Sequence, residues 1–239
     1  MIDALPTRSV ATLIVIALAI WAVIAYLVMP LWWERFVRKH PELDGVPGIT
    51  QTSSGIPGDP VNVALVGSQV QVRGIFAAAK WSAADPLSLE SDARIAADAV
   101  LDRSYAGAPV SNLYLFGRKE DLAFEQASGG SPRERHHVRF WKAPLAHPSG
   151  APLWVGSASF DRSVGLSHTT GQITHHISPD IDAERDHIME SLRATGQLAE
   201  VVPVADFHKI REGRNGGGDP WKTDGTLLLG VIRPMASPP

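Results

Sequence analysis

No cysteine occurs among the 239 residues. Disulfides, thiolate-ligated zinc and thiol catalysis are therefore excluded, and the chain suits either side of a bacterial-type inner membrane. A strong excess of charge is also missing: the net charge is −3. That argues against a nucleic-acid partner, whose phosphates call for a basic patch. Three familiar catalytic signatures are absent: a phosphate loop ending in Lys-Ser/Thr, an H-E-x-x-H pair and a G-x-S-x-G elbow. No internal repeat is apparent. What remains is 44% hydrophobic, a globular rather than a disordered composition.

Part of that hydrophobicity is concentrated in residues 10–29, VATLIVIALAIWAVIAYLVM. The run is uncharged and about as long as the 20 residues needed to cross a bilayer core of about 30 Å. It ends in Met29, Pro30, Leu31, Trp32 and Trp33, which offers no small-residue cleavage site and resembles an interfacial aromatic belt. The expectation is one uncleaved N-terminal transmembrane helix, with the lipid bilayer as partner through residues 10–29 and membrane proteins as further partners. Arg35, Arg38 and Lys39 follow the run, whereas Arg8 alone precedes it. The positive-inside rule then predicts a single-pass protein of the bacterial inner membrane with its C-terminal domain in the cytoplasm.

The expected organisation is an anchor and juxtamembrane segment over residues 1–40, a linker over 41–59, a globular domain over 60–232 and a flexible tail over 233–239. Residues 41–60 hold four Pro and four Gly, which reads as linker. Residues 61–67 predict a strand. Ser68 predicts a helix N-cap, with Val72, Ile75 and Phe76 facing inward. Residues 88–105 predict a second helix. Strands are expected over 113–117, 122–125, 200–205 and 226–232, and a flexible excursion over 211–225. Residues 133–142 alternate, placing Arg135, His137, Arg139 and Trp141 on one face and His136, Val138 and Phe140 on the other. Residues 153–160 alternate likewise, with Ser157, Ser159 and Asp161 opposite Trp154, Ala158 and Phe160. Ser178 and Pro179 predict the start of a third helix, and Gly196 its end. The fold class is α+β: a mostly antiparallel sheet with about three packed helices, preceded by the transmembrane helix.

Residues 129–189 hold most of the chain's histidines and its densest polar groups. Their blocks GGSPRERHHVRFWKAP, WVGSASFDRSVGLS and THHISPDIDAERDHIM, with PVSNLYLFGRKEDLAFEQ before them, resemble the LssY-type C-terminal domain family. The resemblance covers roughly residues 59–207 and implies a bacterial, membrane-associated setting. It carries no established activity.

Two chemistries fit these residues. The first is an anion- or headgroup-binding module, in which Arg135, Arg139, Arg162 and Arg185 supply guanidinium forks while His137 and His175 add donors. The candidate polar site is His137, Arg139, Asp161, Arg162, His175, His176 and Arg185. The second is a hydrolase dependent on a divalent metal, acting on a phosphorylated or lipid-derived substrate. Asp180, Glu184 and His187 lie along one helical stripe, and histidines of the two pairs complete the site. A Ser159–His137–Asp161 triad can also be drawn, without an elbow motif to support it. Arg185 shares a helical face with Ile181, Ile188 and Leu192, so its charge needs a carboxylate; Asp161 is the expected partner.

Overall fold

The computed structural model describes residues 7–24, 28, 41–53, 55–84, 112–128, 134–166, 168 and 173–234. The chain divides into two compact units, Met1–Asp44 and Gly45–Pro239.

In the first unit, helix α1 spans Thr7–Val23. Its aliphatic side chains are exposed all round: Leu13, Ile14, Val15, Leu18 and Ile20 each keep about half or more of their surface. At a rise of about 1.5 Å per residue, its 17 residues extend about 25 Å, short of the bilayer core. Among the described residues no helix is long and apolar enough to cross a membrane. Residues 25–27 and 29–40, which include the end of the span predicted over 10–29, lie outside them.

The second unit is α+β. Its strands are β1 (Ile49–Gln51), β2 (Pro57–Pro60), β3 (Val63–Val66), β4 (Ser82–Ala83), β5 (Tyr114–Leu115), β6 (Arg118–Lys119), β7 (Leu122–Ala127), β8 (Arg135–Lys142), β9 (Leu153–Leu166), β10 (Ile173–Ile177), β11 (Leu198–Val204), β12 (Glu212–Arg214), β13 (Pro220–Lys222) and β14 (Leu227–Ile232). Helix α2 is Gln69–Ala78 and helix α3 is Ile181–Ala194. The main sheet runs β11-β14-β3-β9-β8-β7-β4, with β10 also on β9. Among the described residues, the strand pairings of this sheet are antiparallel except β14–β3. Strand β9 is the spine. Its first residues pair with β3, its last with β10, and β8 lies along its other edge from Arg135↔Asp161 to Lys142↔Trp154.

Helices α2 and α3 bury one face of this sheet, where β8 contributes Val138 and Phe140 and β9 contributes Trp154 and Ala158. Phe76 stacks on Phe124 at 4.0 Å and meets Phe140 edge-on, while Ile188, Met189 and Leu192 close the same core with Val138 and Ala158. Gly156 leaves space for the Phe140 ring, which a Cβ at that position would approach within 2.6 Å. The Asn62 side chain stitches the layers together: it accepts from Ala158 N–H at 2.9 Å and donates to the carbonyls of Ala158 and Ile181.

Helix α2 starts as its sequence predicts, with Ser68 and Gln71 forming a reciprocal capping box. Helix α3 starts two residues later than expected. Asp180, not Ser178, is the N-cap, because the Ser178 N–H continues strand pairing to Phe160 O and Pro179 O is taken by Lys222 N–H. Gly196, at φ 73°, follows its C-terminus. Strand pairing also occurs within residues 41–59. Residues 49–51 and 57–60 pair as β1 and β2 of a second sheet, β2-β1-β5-β6. The expected excursion over 211–225 contains the hairpin β12–β13. The helix predicted over 88–105 and the tail from residue 235 lie outside the described residues.

Candidate functional site

The face of β8 and β9 turned away from the helices is polar and buried. The ladder sets Arg135 opposite Asp161, His137 opposite Ser159 and Arg139 opposite Ser157. These six residues are each at most 7% exposed. Period-2 alternation puts them together, since every second residue of two paired strands shares one face.

The two ends of this row differ. At one end Asp161 is the hub. Arg135 Nε donates to its Oδ2 at 2.9 Å, and His137 Nδ1 faces its Oδ1 at 3.3 Å. Arg135 also donates to Glu125 on β7 at 3.0 Å. Burial favours a neutral Asp161, but His137, His175 and Arg135 outweigh it and hold the carboxyl well below its ordinary range. His175 on β10 joins the group. Burial pushes its imidazole down to about 4, against the pull of Asp161. The Arg135 charge is thus matched by two carboxylates.

At the other end the central charge is Arg139. Arg139 has Asp59 of β2 at 3.7 Å, longer than a hydrogen bond, and Asp59 Oδ1 accepts from Asn215 at 3.0 Å. Burial lowers the Arg139 pKa despite the offsetting charges of Asp59, Glu120 and Asp161. Beside it, Ser157 Oγ, Ser159 Oγ and His137 Nε2 are buried with no hydrogen-bond partner. Ser159 and His137 are cross-strand neighbours, yet no hydrogen bond joins them, so the triad drawn from sequence does not form.

Matches to known proteins bear on this face. The family model described as LssY C-terminus covers residues 43–227, most of the chain and all of the polar row. The chain belongs to the LssY C-terminus family. No curated protein and no solved structure matches it.

Three members of the sequence-read site converge in this LssY C-terminal domain beside Arg139: His137, Asp161 and His175. Three do not. Arg162 is exposed and donates to Ile177 O. His176 projects elsewhere, with Nδ1 2.7 Å from Asp219 Oδ1. Arg185 is buried but does not meet Asp161, which lies on the sheet face away from α3. Instead it donates to Asp186, Asp182 and Asp224 and to Thr226 O. Those carboxylates outweigh its burial and raise its pKa. Asp59, Glu125, Ser157 and Ser159 complete the site. The serines were visible as a polar stripe, whereas Asp59 was hidden in a segment rich in Pro and Gly.

The helical metal candidates have these surroundings. Asp180 caps α3, Glu184 Oε2 is 2.7 Å from His136 Nδ1, and His187 stacks on His136 with ring centroids 3.9 Å apart. Among the described residues, His168, His176 and Asp219 are the group of three metal-capable side chains that does converge.

Proposed function

We propose that this LssY-family chain is a membrane-tethered binding module that recognises a small oxyanion, free or as a headgroup, at the Arg139 end of the buried polar face. One observation carries the reading: the Ser157 and Ser159 hydroxyls are unpartnered and buried, with Ser157 directly across the ladder from Arg139. An unmet buried polar group costs about 1–3 kcal/mol, so such a cluster is costly unless an acceptor joins it. A phosphate or carboxylate oxygen supplies that acceptor, with the Arg139 cation beside it. Asp161 lies at the other end of the row, where Arg135 Nε donates to its Oδ2 at 2.9 Å and offsets its charge.

The tether in this reading is α1 with the apolar residues after it. A helix with aliphatic side chains exposed on every side needs an apolar surrounding. The basic residues Arg35, Arg38 and Lys39 place the domain on the cytoplasmic side in this proposal.

The test is thermal stability with and without inorganic phosphate, for the parent and for Ser157→Ala/Ser159→Ala. Without phosphate the double variant is at least as stable as the parent, because two unmet hydroxyls are gone. Phosphate raises the parent midpoint and not the variant's. Equal phosphate stabilisation of both, or none in the parent, contradicts the reading.

A further inference from the structure

A second site lies apart from the polar row. His168 is in the turn after β9, His176 is on β10, and Asp219 immediately precedes β13. One ligating atom from each lies within 4.8 Å of the other two. We infer that these three side chains form a divalent metal site of the imidazole–carboxylate kind, suited to zinc.

Each ligand is placed by contacts of its own. Asp219 is 4% exposed, and its Oδ2 accepts the Ile177 N–H at 3.2 Å. Its backbone N–H donates to Asn215 Oδ1 at 2.9 Å, so the carboxylate is aimed before any metal arrives. The other oxygen, Oδ1, faces His176 Nδ1 at 2.7 Å. The His168 N–H donates to Gly217 O at 2.9 Å, which holds His168 against the Asn215–Asp219 loop. Gly165 leaves the space His176 occupies: a Cβ there would come within 2.7 Å of Nε2. Arg214, the nearby cation, donates its guanidinium to Gly218 O.

Zinc binds nitrogen and oxygen at about 2.0–2.2 Å, so donors around it stand about 3–3.5 Å apart. The exposed His168 imidazole closes the remaining gap by a side-chain rotation. Two imidazoles and one carboxylate leave a coordination position for water or another ligand. Magnesium and calcium, which prefer all-oxygen shells, fit less well.

Ring orientation separates this group from the other histidine cluster. His136 and His187 are stacked, 22° apart in plane, so their in-plane lone pairs run side by side and do not converge on one ion. The rings of His168 and His176 are 5.3 Å apart and tilted by 43°, which lets both aim at a shared point. The competing reading is a His176–Asp219 ion pair with His168 as a bystander.

Titrating zinc into the full chain decides between them. The protein is purified in mild detergent without a polyhistidine tag and stripped with EDTA. Calorimetry of the parent gives one zinc per chain, and cobalt gives the visible bands of a low-coordinate site. His168→Ala, a change at an exposed position, weakens zinc binding at least tenfold and abolishes the cobalt bands while circular dichroism is unchanged. His187→Ala leaves both signals intact. Absence of zinc binding, or binding that survives His168→Ala, overturns the inference. So does binding lost in His187→Ala.

Discussion

Arg135 and Asp161 are directly opposite each other across the β8–β9 ladder, and Arg135 Nε donates to Asp161 Oδ2 at 2.9 Å. Asp161 is fully buried and Arg135 nearly so. Removing either partner unbalances a buried pair of charges, although Arg135 keeps Glu125. Asp161→Asn should therefore destabilise the chain by about 3–5 kcal/mol, and Arg135→Met/Asp161→Asn by less than the two single costs combined. Urea denaturation of the four proteins measures the coupling.

Arg185 makes a contrasting prediction. Its partners are Asp182, Asp186 and Asp224, not Asp161. Asp161→Asn and Arg185→Met should then add to within about 0.5 kcal/mol. Asp224→Asn should cost about 1 kcal/mol or less, since that carboxylate is half exposed and Arg185 keeps two other acids. A coupling of several kcal/mol between Asp161 and Arg185 would contradict the observed placement.

Acid should weaken the fold in two windows. His175 is held neutral, its pKa lowered from 6.5 to about 4 by burial. Between those values the unfolded chain binds the extra proton and the folded chain does not, so stability falls as pH drops from about 6.5 to 4. Asp161, whose pKa is depressed in the fold, contributes stability that is lost only below its ordinary value of 3.8. In EDTA-treated protein, melting midpoints against pH should flatten in the first window for His175→Gln and keep their acid limb below it. An unchanged slope in the variant would show that His175 does not carry the effect.

The α1 tether predicts a fractionation result. The intact chain should resist alkaline carbonate extraction from membranes, and deletion of residues 1–40 should release it. Release of the intact chain by carbonate would remove the tether from the account.

Much of the polar face was legible because strands carry a period of two. Alternation in β8 and β9 alone puts Arg135, His137 and Arg139 on one face and Ser157, Ser159 and Asp161 on one face. The capping residues of α2 and the apolar stripe of α3 were equally local signals. Partners across long sequence separations were not legible. Asp161 ends the polar stripe of its strand and so reads as the carboxylate for an inward Arg185, but sequence does not reveal that the sheet lies between them. Residues 49–60 read as linker because Pro and Gly weaken strand propensity. Yet Pro57 and Pro60 are accommodated in β2, and Gly58 gives room to Thr50, whose Oγ1 a Cβ would meet at 2.5 Å. Asp219 reaches His176 across 43 positions through a hairpin whose Gly run reads as flexible.

The central claim is an oxyanion seat at the Arg139 end of the buried face, and anomalous diffraction from crystals soaked in tungstate tests it most directly. The account predicts one strong tungsten peak within hydrogen-bond reach of the Arg139 guanidinium, Ser157 Oγ and Ser159 Oγ, absent from Ser157→Ala/Ser159→Ala crystals. Ordered water alone at those hydroxyls under saturating tungstate would contradict it.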